Sequence, residues 1–301
     1  MTAVFVEDGV DKGAIWHFGE PNKEQRAILE GKAWADLSHL HVIAVSGVDR
    51  LKWLHDLTTQ HLTELGVGQW SSALILDPQG HVEYQINLVD DGESTWLVLD
   101  PGYIENLVTY LQKMKFMLRV DVRDASNEFV IMRAPGQVSD IGGPFALVPR
   151  AELKDMQESF AATAMQVGTW ALDAERVAAG RPRIGFDTDH KSIPNELGLL
   201  NKSVHMSKGC YRGQETVAKI FNLGNPPRRL VLLHLDGSQV VMPAPGTPVM
   251  NGEIKVGFLG TVARHYELGP IALAVIKRNT PVDAQLTVDG VAASQEVIVP
   301  A

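Results

Sequence analysis

Short runs of alternating apolar and polar residues fill the middle of the chain, interrupted by two stretches in which apolar residues recur every three or four positions. Alternation predicts strands, and the wider spacing predicts helices with one buried face. Pro78-Gln79-Gly80 joins a fixed-φ residue to a permissive glycine, which indicates a hairpin turn. The predicted order is strand Val42–Gly47, helix Val48–Gln60, strand Ser71–Asp77, strand His81–Val89, strand Ser94–Asp100, a helix opened by Pro101 that runs through Leu111, and strand Arg119–Arg123. This is the order of a split β-α-β-β-β-α-β unit of the ferredoxin-like type.

The last quarter of the chain contains short strand-like pieces separated by glycines and prolines, which favour a small β-barrel. They follow a break at Asn225-Pro226-Pro227 and comprise Arg229–Leu235, Pro248–Asn251, Val256–His265, Ile271–Ile276 and Gln285–Val288. Upstream of that break, helical spacing over Trp170–Ala179 ends at Gly180-Arg181-Pro182, a combination that stops a helix. The region Phe129–Met165 contains two strand candidates and an acid-rich stretch and gives no firm prediction.

Composition narrows the classes of function that these elements can serve. The 301 residues are 45% hydrophobic and carry a formal net charge of -9. Such an acidic chain presents no global positive field to a phosphate backbone, so we expect no nucleic-acid partner. The first residues lack the basic start and apolar stretch of a secretory signal, and no apolar run is long enough to span a bilayer. We therefore expect a cytoplasmic protein without membrane association.

The single cysteine, Cys210, limits the redox and metal chemistry. An intramolecular disulfide is impossible. Iron–sulfur clusters are commonly held by about four thiolates, and this chain supplies one sulfur ligand at most. We therefore expect no resident metal site, and any cluster would be shared or transient.

Two cations flank that thiol in the segment Ser207–Lys219, which reads SKGCYRGQETVAK. Lys208 and Arg212 lie two residues from Cys210 on either side. Nearby cations favour the thiolate, which is the better nucleophile and the better metal ligand, so Cys210 and Lys208 are the candidate catalytic residues. The alternative is that Cys210 is a small buried hydrophobic residue, a common fate of a free cysteine.

The remaining residues of the segment can support such chemistry. Gly209 and Gly213 allow tight bending of the backbone or close approach of a ligand. The amide of Gln214 and the carboxylate of Glu215 can orient an incoming group. A helix that starts near Gly213 would also bring free N–H groups towards the thiolate.

The run KGCYRGQE (Lys208–Glu215) resembles the signature K-G-C-(Y/F)-x-G-Q-E of the YgfZ family, and every defined position matches, with Tyr211 at the aromatic position. The resemblance implies a folate-binding protein that supports the assembly or repair of iron–sulfur clusters. It also implies that iron–sulfur client enzymes or cluster-assembly proteins are the partners.

A wider resemblance covers nearly the whole chain and extends to the glycine-cleavage T-protein, the founding member of the aminomethyltransferase-like (GcvT) superfamily. The stretch Asp36–Gln60 resembles the T-protein pattern D-x-S-H, strand, S-G-x-D and a helix ending in L-T-T. Glu83-Tyr84 stands where the T-protein hairpin has an aspartate pair that assists aminomethyl transfer to tetrahydrofolate. Glu83 could substitute, but the alternative is an exposed strand carboxylate. Whether the chain is an enzyme therefore stays open.

The resemblance also indicates where a folate would bind. Ala171–Leu200 resembles the T-protein stretch that ends T-P-x-E-x-G-L, and the glutamate that receives the pterin ring falls on Glu196. A carboxylate can accept two parallel hydrogen bonds from the 2-amino group and the ring N–H of a pterin. The alternative is a cap or a solvated turn residue. Arg228, with Arg229 beside it, is a candidate for the anionic end of tetrahydrofolate or a related reduced folate.

The implied architecture is an α+β fold, a three-domain GcvT-like ring around a central hole that admits the folate. Domain A combines residues 1–40 and 168–226, the inserted split β/α domain covers 41–167, and the C-terminal β-barrel domain covers 227–301.

Three functions stay open. The first is folate-dependent support of iron–sulfur clusters through Cys210. The second is an ordinary folate-dependent aminomethyltransferase, against which the Glu83-Tyr84 replacement and the cysteine signature argue. The third is a thiol redox or interaction module that keeps Cys210 and binds no folate.

Overall fold

The computed structural model of the chain describes residues 2–224, 226–238 and 241–300. Asn225, the first residue of the predicted break, lies outside the described residues. The chain packs into two compact units. The first comprises the residues up to Ile75, Tyr84–Ala171 and Ser207–Tyr211, and the second comprises Leu76–Glu83, Leu172–Met206 and the residues from Arg212 onward. The boundaries of the three expected domains remain a prediction.

Three sheets are formed by the strands that precede the second unit's barrel. The elements of this part are β1 (Val4–Phe5), β2 (Ile15–His17), α1 (Pro21–Leu29), β3 (Ala33–Asp36), β4 (His41–Ser46), α2 (Arg50–Leu57), β5 (Trp70–Leu76), β6 (Val82–Asp90), β7 (Ser94–Leu99), α3 (Ile104–Met114), β8 (Asp121–Asp124), β9 (Phe129–Arg133), β10 (Phe145–Pro149), a 3-10 helix (Arg150–Glu152), α4 (Leu153–Ala161) and β11 (Met165–Gln166). The sheet orders are β1-β2, β10-β9-β3-β11 and β5-β6-β7-β4-β8.

The five-stranded sheet is the split unit that the sequence predicts. Its element order is strand, helix, three strands, helix and strand, and β4 lies between the central strand β7 and the edge strand β8 with antiparallel pairing on both sides. The helix α3 buries Ile104, Leu107 and Leu111, one face at helical spacing, in a core shared with the sheet. The predicted β-α-β-β-β-α-β order is therefore confirmed, with boundaries shifted by one to three residues.

The second unit ends in a closed six-stranded barrel. The remaining elements are α5 (Thr169–Ala178), a 3-10 helix (Pro194–Glu196), α6 (Gln214–Leu223), β12 (Arg228–Leu235), β13 (Pro248–Asn251), β14 (Ile254–His265), β15 (Gly269–Lys277), β16 (Leu286–Val288) and β17 (Val291–Val297). The barrel order is β12-β15-β14-β13-β16-β17. Alternate residues of β12, namely Val231, Leu233 and Leu235, face its core. The predicted barrel is confirmed, and β17 is the strand that the sequence analysis missed.

A buried ion pair joins α5 to the barrel strand β14. Arg176 donates to the carboxylate of Asp187 at 2.7 Å and to the hydroxyl of Thr261 at 2.8 Å. Asp187 is fully buried and also accepts the backbone N–H groups of Arg183 and Thr261. Both oxygens of this carboxylate are thus hydrogen-bonded, as a buried charge requires.

In the part of the chain that the structure describes, no helix combines the length and the apolar character that crossing a bilayer demands.

Replacing Gly260 by alanine should destabilise the protein, because a Cβ there would overlap with the buried carboxylate of Asp187. We expect the free energy of unfolding to fall by about 1–3 kcal/mol, the usual cost of overpacking. Gly237→Ala is the matched control, since its Cβ would meet Pro270 at an ordinary 3.5 Å. Urea unfolding of both variants measures the difference, and equal stability of the two would contradict the packing described here.

Candidate functional site

Lys208 anchors the first part of the KGCYRGQE segment to the end of α2. Its buried ammonium donates to the carbonyl oxygens of His55, Thr58 (2.5 Å) and Gln60 (3.4 Å). Burial lowers the pKa of Lys208 to about 8. The ring of Tyr211 lies 5.3 Å from the same nitrogen, and burial raises the pKa of that phenol to about 12. The lysine therefore holds the segment in place through carbonyl oxygens at the end of α2 and in the residues just after it.

Cys210 is a free and exposed thiol. The alternative of a small buried hydrophobic residue therefore does not describe this cysteine. Gly209, which precedes it, is exposed too, and a Cβ built on it would meet nothing within 4 Å. A large molecule or a small reagent can thus reach the thiol from solvent.

The second cation of the motif, Arg212, has a carboxylate partner. Its guanidinium lies 3.3 Å from Glu83, and both side chains are more than one third exposed. Glu83 is the residue that the resemblance aligns with the T-protein aspartate pair, and Tyr84 beside it packs edge-on to Tyr103. Lys208 and Arg212 thus both have oxygen partners of their own, so the predicted effect of their charges on Cys210 remains a prediction.

Gly213 is fixed by a turn of the β5–β6 hairpin. It has a φ of +79°, and a Cβ on it would lie 2.6 Å from the carbonyl oxygen of Asp77 and 2.8 Å from Cα of Gly80. The helix α6 begins at the next residue, with Gln214 half-buried and Glu215 exposed in its first turn. The predicted turn at Pro78-Gln79-Gly80 and the predicted helix start are therefore packed on each other.

The two predicted folate residues, Glu196 and Arg228, contact each other. Arg228 donates to both oxygens of the fully buried Glu196, at 2.5 and 3.2 Å, and to both oxygens of Asp189, at 2.6 and 3.0 Å. Ser192 also lies 3.4 Å from the guanidinium. Burial raises the pKa of Glu196 against the opposing effect of Arg228. Although burial alone would raise it, the hydrogen bonds and charge of Arg228 lower the pKa of Asp189 to about 2.

This cluster modifies the expectation for Arg228. A guanidinium whose donors are directed to two carboxylates carries little positive charge to spare for the anionic end of a folate. Arg229 is fully buried and donates to the carbonyl of Thr280 and to the amide oxygen of Gln295. Both assignments to the anionic end remain predictions.

Sequence reasoning missed Asp189 and Asn195. Asp189 pairs with an arginine 39 positions later, a separation that no local pattern reveals. Asn195 is buried beside Glu196, and its side-chain N–H donates to the carbonyl of Val217 at 3.1 Å. Its amide oxygen is buried and has no hydrogen-bond partner among the described residues.

Among the described residues, no three His, Cys, Asp or Glu side chains converge as metal ligands would.

Comparison with known proteins gives one family match and several distant relatives. Residues 228–299 match the CAF17 C-terminal beta-barrel domain. A putative chloroplastic transferase of Arabidopsis thaliana is 23% identical over 83% of this chain and 66% of its own length. The mitochondrial iron-sulfur cluster assembly factor IBA57 homolog of Mycosarcoma maydis is 25% identical over 72% of this chain and 61% of its own length. The chain thus spans less than two thirds of both proteins.

A bacterial relative and a solved structure align with this chain over larger shares of their own length. The tRNA-modifying protein YgfZ of Colwellia psychrerythraea is 22% identical over 77% of this chain and 80% of its own length. The crystal structure of the glycine cleavage system aminomethyltransferase T from Bartonella henselae has a TM-score of 0.81, with 16% identity, 98% of this chain and 92% of that chain covered. The chain therefore has the fold of that aminomethyltransferase, as the sequence predicts. The resemblance to YgfZ in the segment Lys208–Glu215 is accompanied by this similarity to the Colwellia psychrerythraea protein over most of the chain.

Replacing Gly213 by alanine should destabilise the protein, because a Cβ meets backbone atoms of the hairpin and the positive φ is strained for alanine. We expect a loss of more than about 1 kcal/mol in the free energy of unfolding. Gly209→Ala is the matched control from the same motif and should stay within about 0.5 kcal/mol of the wild type. Urea unfolding decides between them, and a stable Gly213→Ala variant would contradict the turn geometry.

The pairing of Asp189 with Arg228 should stabilise the protein in a pH-dependent way. The pKa of Asp189 is lowered from 3.8 to about 2, so its contribution is complete above about pH 4 and is lost as the pH falls towards 2. We expect Asp189→Asn to be less stable than the wild type near neutral pH, and the difference should close at low pH. Unfolding free energies measured across this range test the sign, with the exposed Asp283→Asn as control. A difference that persists unchanged to pH 2 would show that Asp189 acts through something other than its charge.

Proposed function

We propose that this protein binds a reduced folate and supports the assembly or repair of iron–sulfur clusters in client enzymes through Cys210. The observation that carries the proposal is the exposed thiol of Cys210 on a segment anchored by the buried Lys208. The name of one relative, an iron-sulfur cluster assembly factor, supports the same function class.

The chemistry available to the thiol follows from its exposure. A thiolate can ligate iron or attack an electrophilic sulfur, and either reaction requires that the partner reach the sulfur atom. Because the chain has one cysteine, a cluster with four thiolate positions would take its other ligands from the client or carrier. Cys210 would therefore act on a cluster as cargo, while the partner holds it.

Folate binding is supported by the acceptors around Glu196. The pterin ring presents donors on its 2-amino group and ring nitrogen. Oε1 of Glu196 accepts from Arg228 and from the backbone N–H of Ile193, whereas Oε2 accepts from Arg228 alone and can accept a further hydrogen bond. The unpaired amide oxygen of Asn195 beside it adds a buried acceptor. Glu196 and Asn195 would hold the pterin, and Arg228 would keep Glu196 ionised in a buried position.

The aminomethyltransferase alternative needs a carboxylate that acts on the folate. Glu83, which stands at the relevant position by resemblance, is paired with Arg212. No observation favours that role over the ion pair itself, so we keep the first proposal.

Calorimetric titration with tetrahydrofolate tests the ligand. Glu196→Gln and Asn195→Leu should each weaken binding by about tenfold or more, because each leaves a pterin donor without its acceptor. Cys210→Ser should bind as the wild type does. Failure of every form to bind would contradict the folate proposal and leave the redox or interaction alternative.

Complementation in cells that lack the protein tests the thiol within the same prediction. The measured quantity is the activity of cluster-dependent enzymes. Cys210→Ser should fail to restore it, while the neighbouring exposed Ser207→Ala should restore it fully. Full restoration by Cys210→Ser would contradict the role of the thiol, whatever the calorimetry shows.

A further inference from the structure

Three adjacent apolar residues are presented to solvent in the turn that follows α3. Phe116, Met117 and Leu118 are 80%, 98% and 46% exposed, and we name them the apolar tip. Val48 is 71% exposed in the loop before α2. Single exposed apolar residues are ordinary, but a contiguous group of large ones marks an interaction surface.

The base of the apolar tip is held from both sides. The indole N–H of Trp53 donates to the carbonyl of Met114 at 3.1 Å, just before the turn. After the turn, the carboxylate of Asp49 accepts the backbone N–H of Arg119 at 2.9 Å and its guanidinium at 3.0 and 3.1 Å. Gly47 packs so closely against the carbonyl of Arg119 that a Cβ would overlap with it, which brings the loop of Val48 next to the tip.

The tip itself is held in a costly conformation. Phe116 has a φ of +44°, which is unusual for an aromatic residue, and the N–H of Leu118 closes the turn on the carbonyl of Lys115. Strain of this kind persists only where the surroundings enforce it. The backbone of the tip is thus held in one arrangement before any partner arrives, which lowers the backbone entropy cost of binding.

The charge around the tip is opposite to that of the chain. Lys113 and Lys115 precede it and Arg119 follows it, whereas the chain as a whole carries -9. Arg119 is balanced by Asp49, so the two lysines supply the local positive charge. An extended anionic membrane would also face the acidic remainder of this chain and would be repelled by it. A small group of carboxylates on a partner protein would face only the two lysines.

We propose that the apolar tip docks into an apolar pocket rimmed by carboxylates on a partner protein. Phe116 and Met117 are the anchors, and Lys113 and Lys115 pair with the rim. The surface lies in the first compact unit and acts independently of folate binding. It goes beyond the proposed function, since it stands whether or not the partner is an iron–sulfur enzyme.

The test begins with a photo-crosslinking amino acid in place of Met117 in the full-length protein, in cells, and with the same group at Ile254 as control. Ile254 is an apolar residue of the barrel with 64% exposure. The partner is the protein that crosslinks at position 117 but not at position 254, and it is identified and purified. Its affinity is then measured for the wild type and for four variants: Phe116→Ser/Met117→Ser, Met117→Ser, Lys113→Glu/Lys115→Glu and Ile254→Ser. The fold of each variant is checked by its unfolding midpoint.

We expect the double serine variant to bind about 30-fold more weakly or worse, as the loss of two anchors predicts. Lys113→Glu/Lys115→Glu should also bind more weakly and lose its salt dependence, while Ile254→Ser should match the wild type. If Phe116→Ser/Met117→Ser does not fold, Met117→Ser alone decides. The proposal is overturned by equal affinities, by the absence of any adduct at position 117, by an adduct between two copies of this chain, or by tip-dependent binding to vesicles of equal phosphatidylglycerol and phosphatidylcholine.

Discussion

The position of the thiol depends on one buried ammonium group. A helix ends with carbonyl oxygens that lack partners, and a buried lysine needs acceptors for its charge. Lys208 meets both needs at the end of α2, through the carbonyls of His55, Thr58 and Gln60. Two residues later the chain is exposed at Cys210. The lysine of the motif therefore positions the exposed thiol on the protein surface. The sequence predicts a different role for this lysine, an effect of its charge on the thiol.

A second constraint acts on the other half of the same motif. Gly213 lies against the hairpin turn at Asp77 and Gly80, where only a glycine fits. On the same hairpin, Glu83 pairs with Arg212. Both interactions connect the start of α6 to the strand pair β5–β6. The motif KGCYRGQE is thus attached at its beginning by a buried cation and at its end by close packing, with its exposed residues between these points.

Much of the fold could be predicted because its signals are local. The split unit follows from apolar periodicity and from one Pro-Gln-Gly turn, and the barrel follows from short strands between glycines and prolines. The strands β1 and β2 are too short to show a period, and β17 reads VAASQEV, in which small and polar residues hide the alternation. The burial of Lys208 could not be predicted, because lysine is almost always exposed and its acceptors are about 150 positions away. The pairing of Asp189 with Arg228 was hidden for the same reason.

The arrangement of Glu196 limits how a ligand can use it. Burial raises the pKa of Glu196 and so favours its protonated form, which is a poorer acceptor for a donor of a pterin. Arg228 opposes that protonation, and Asp189 in turn holds Arg228 in orientation through two hydrogen bonds. The cluster therefore suits the acceptor role that the folate proposal gives to Glu196. Because Glu196 belongs to the second compact unit and Cys210 to the first, substitutions can separate ligand binding from thiol chemistry, so the two proposed roles need not fail together.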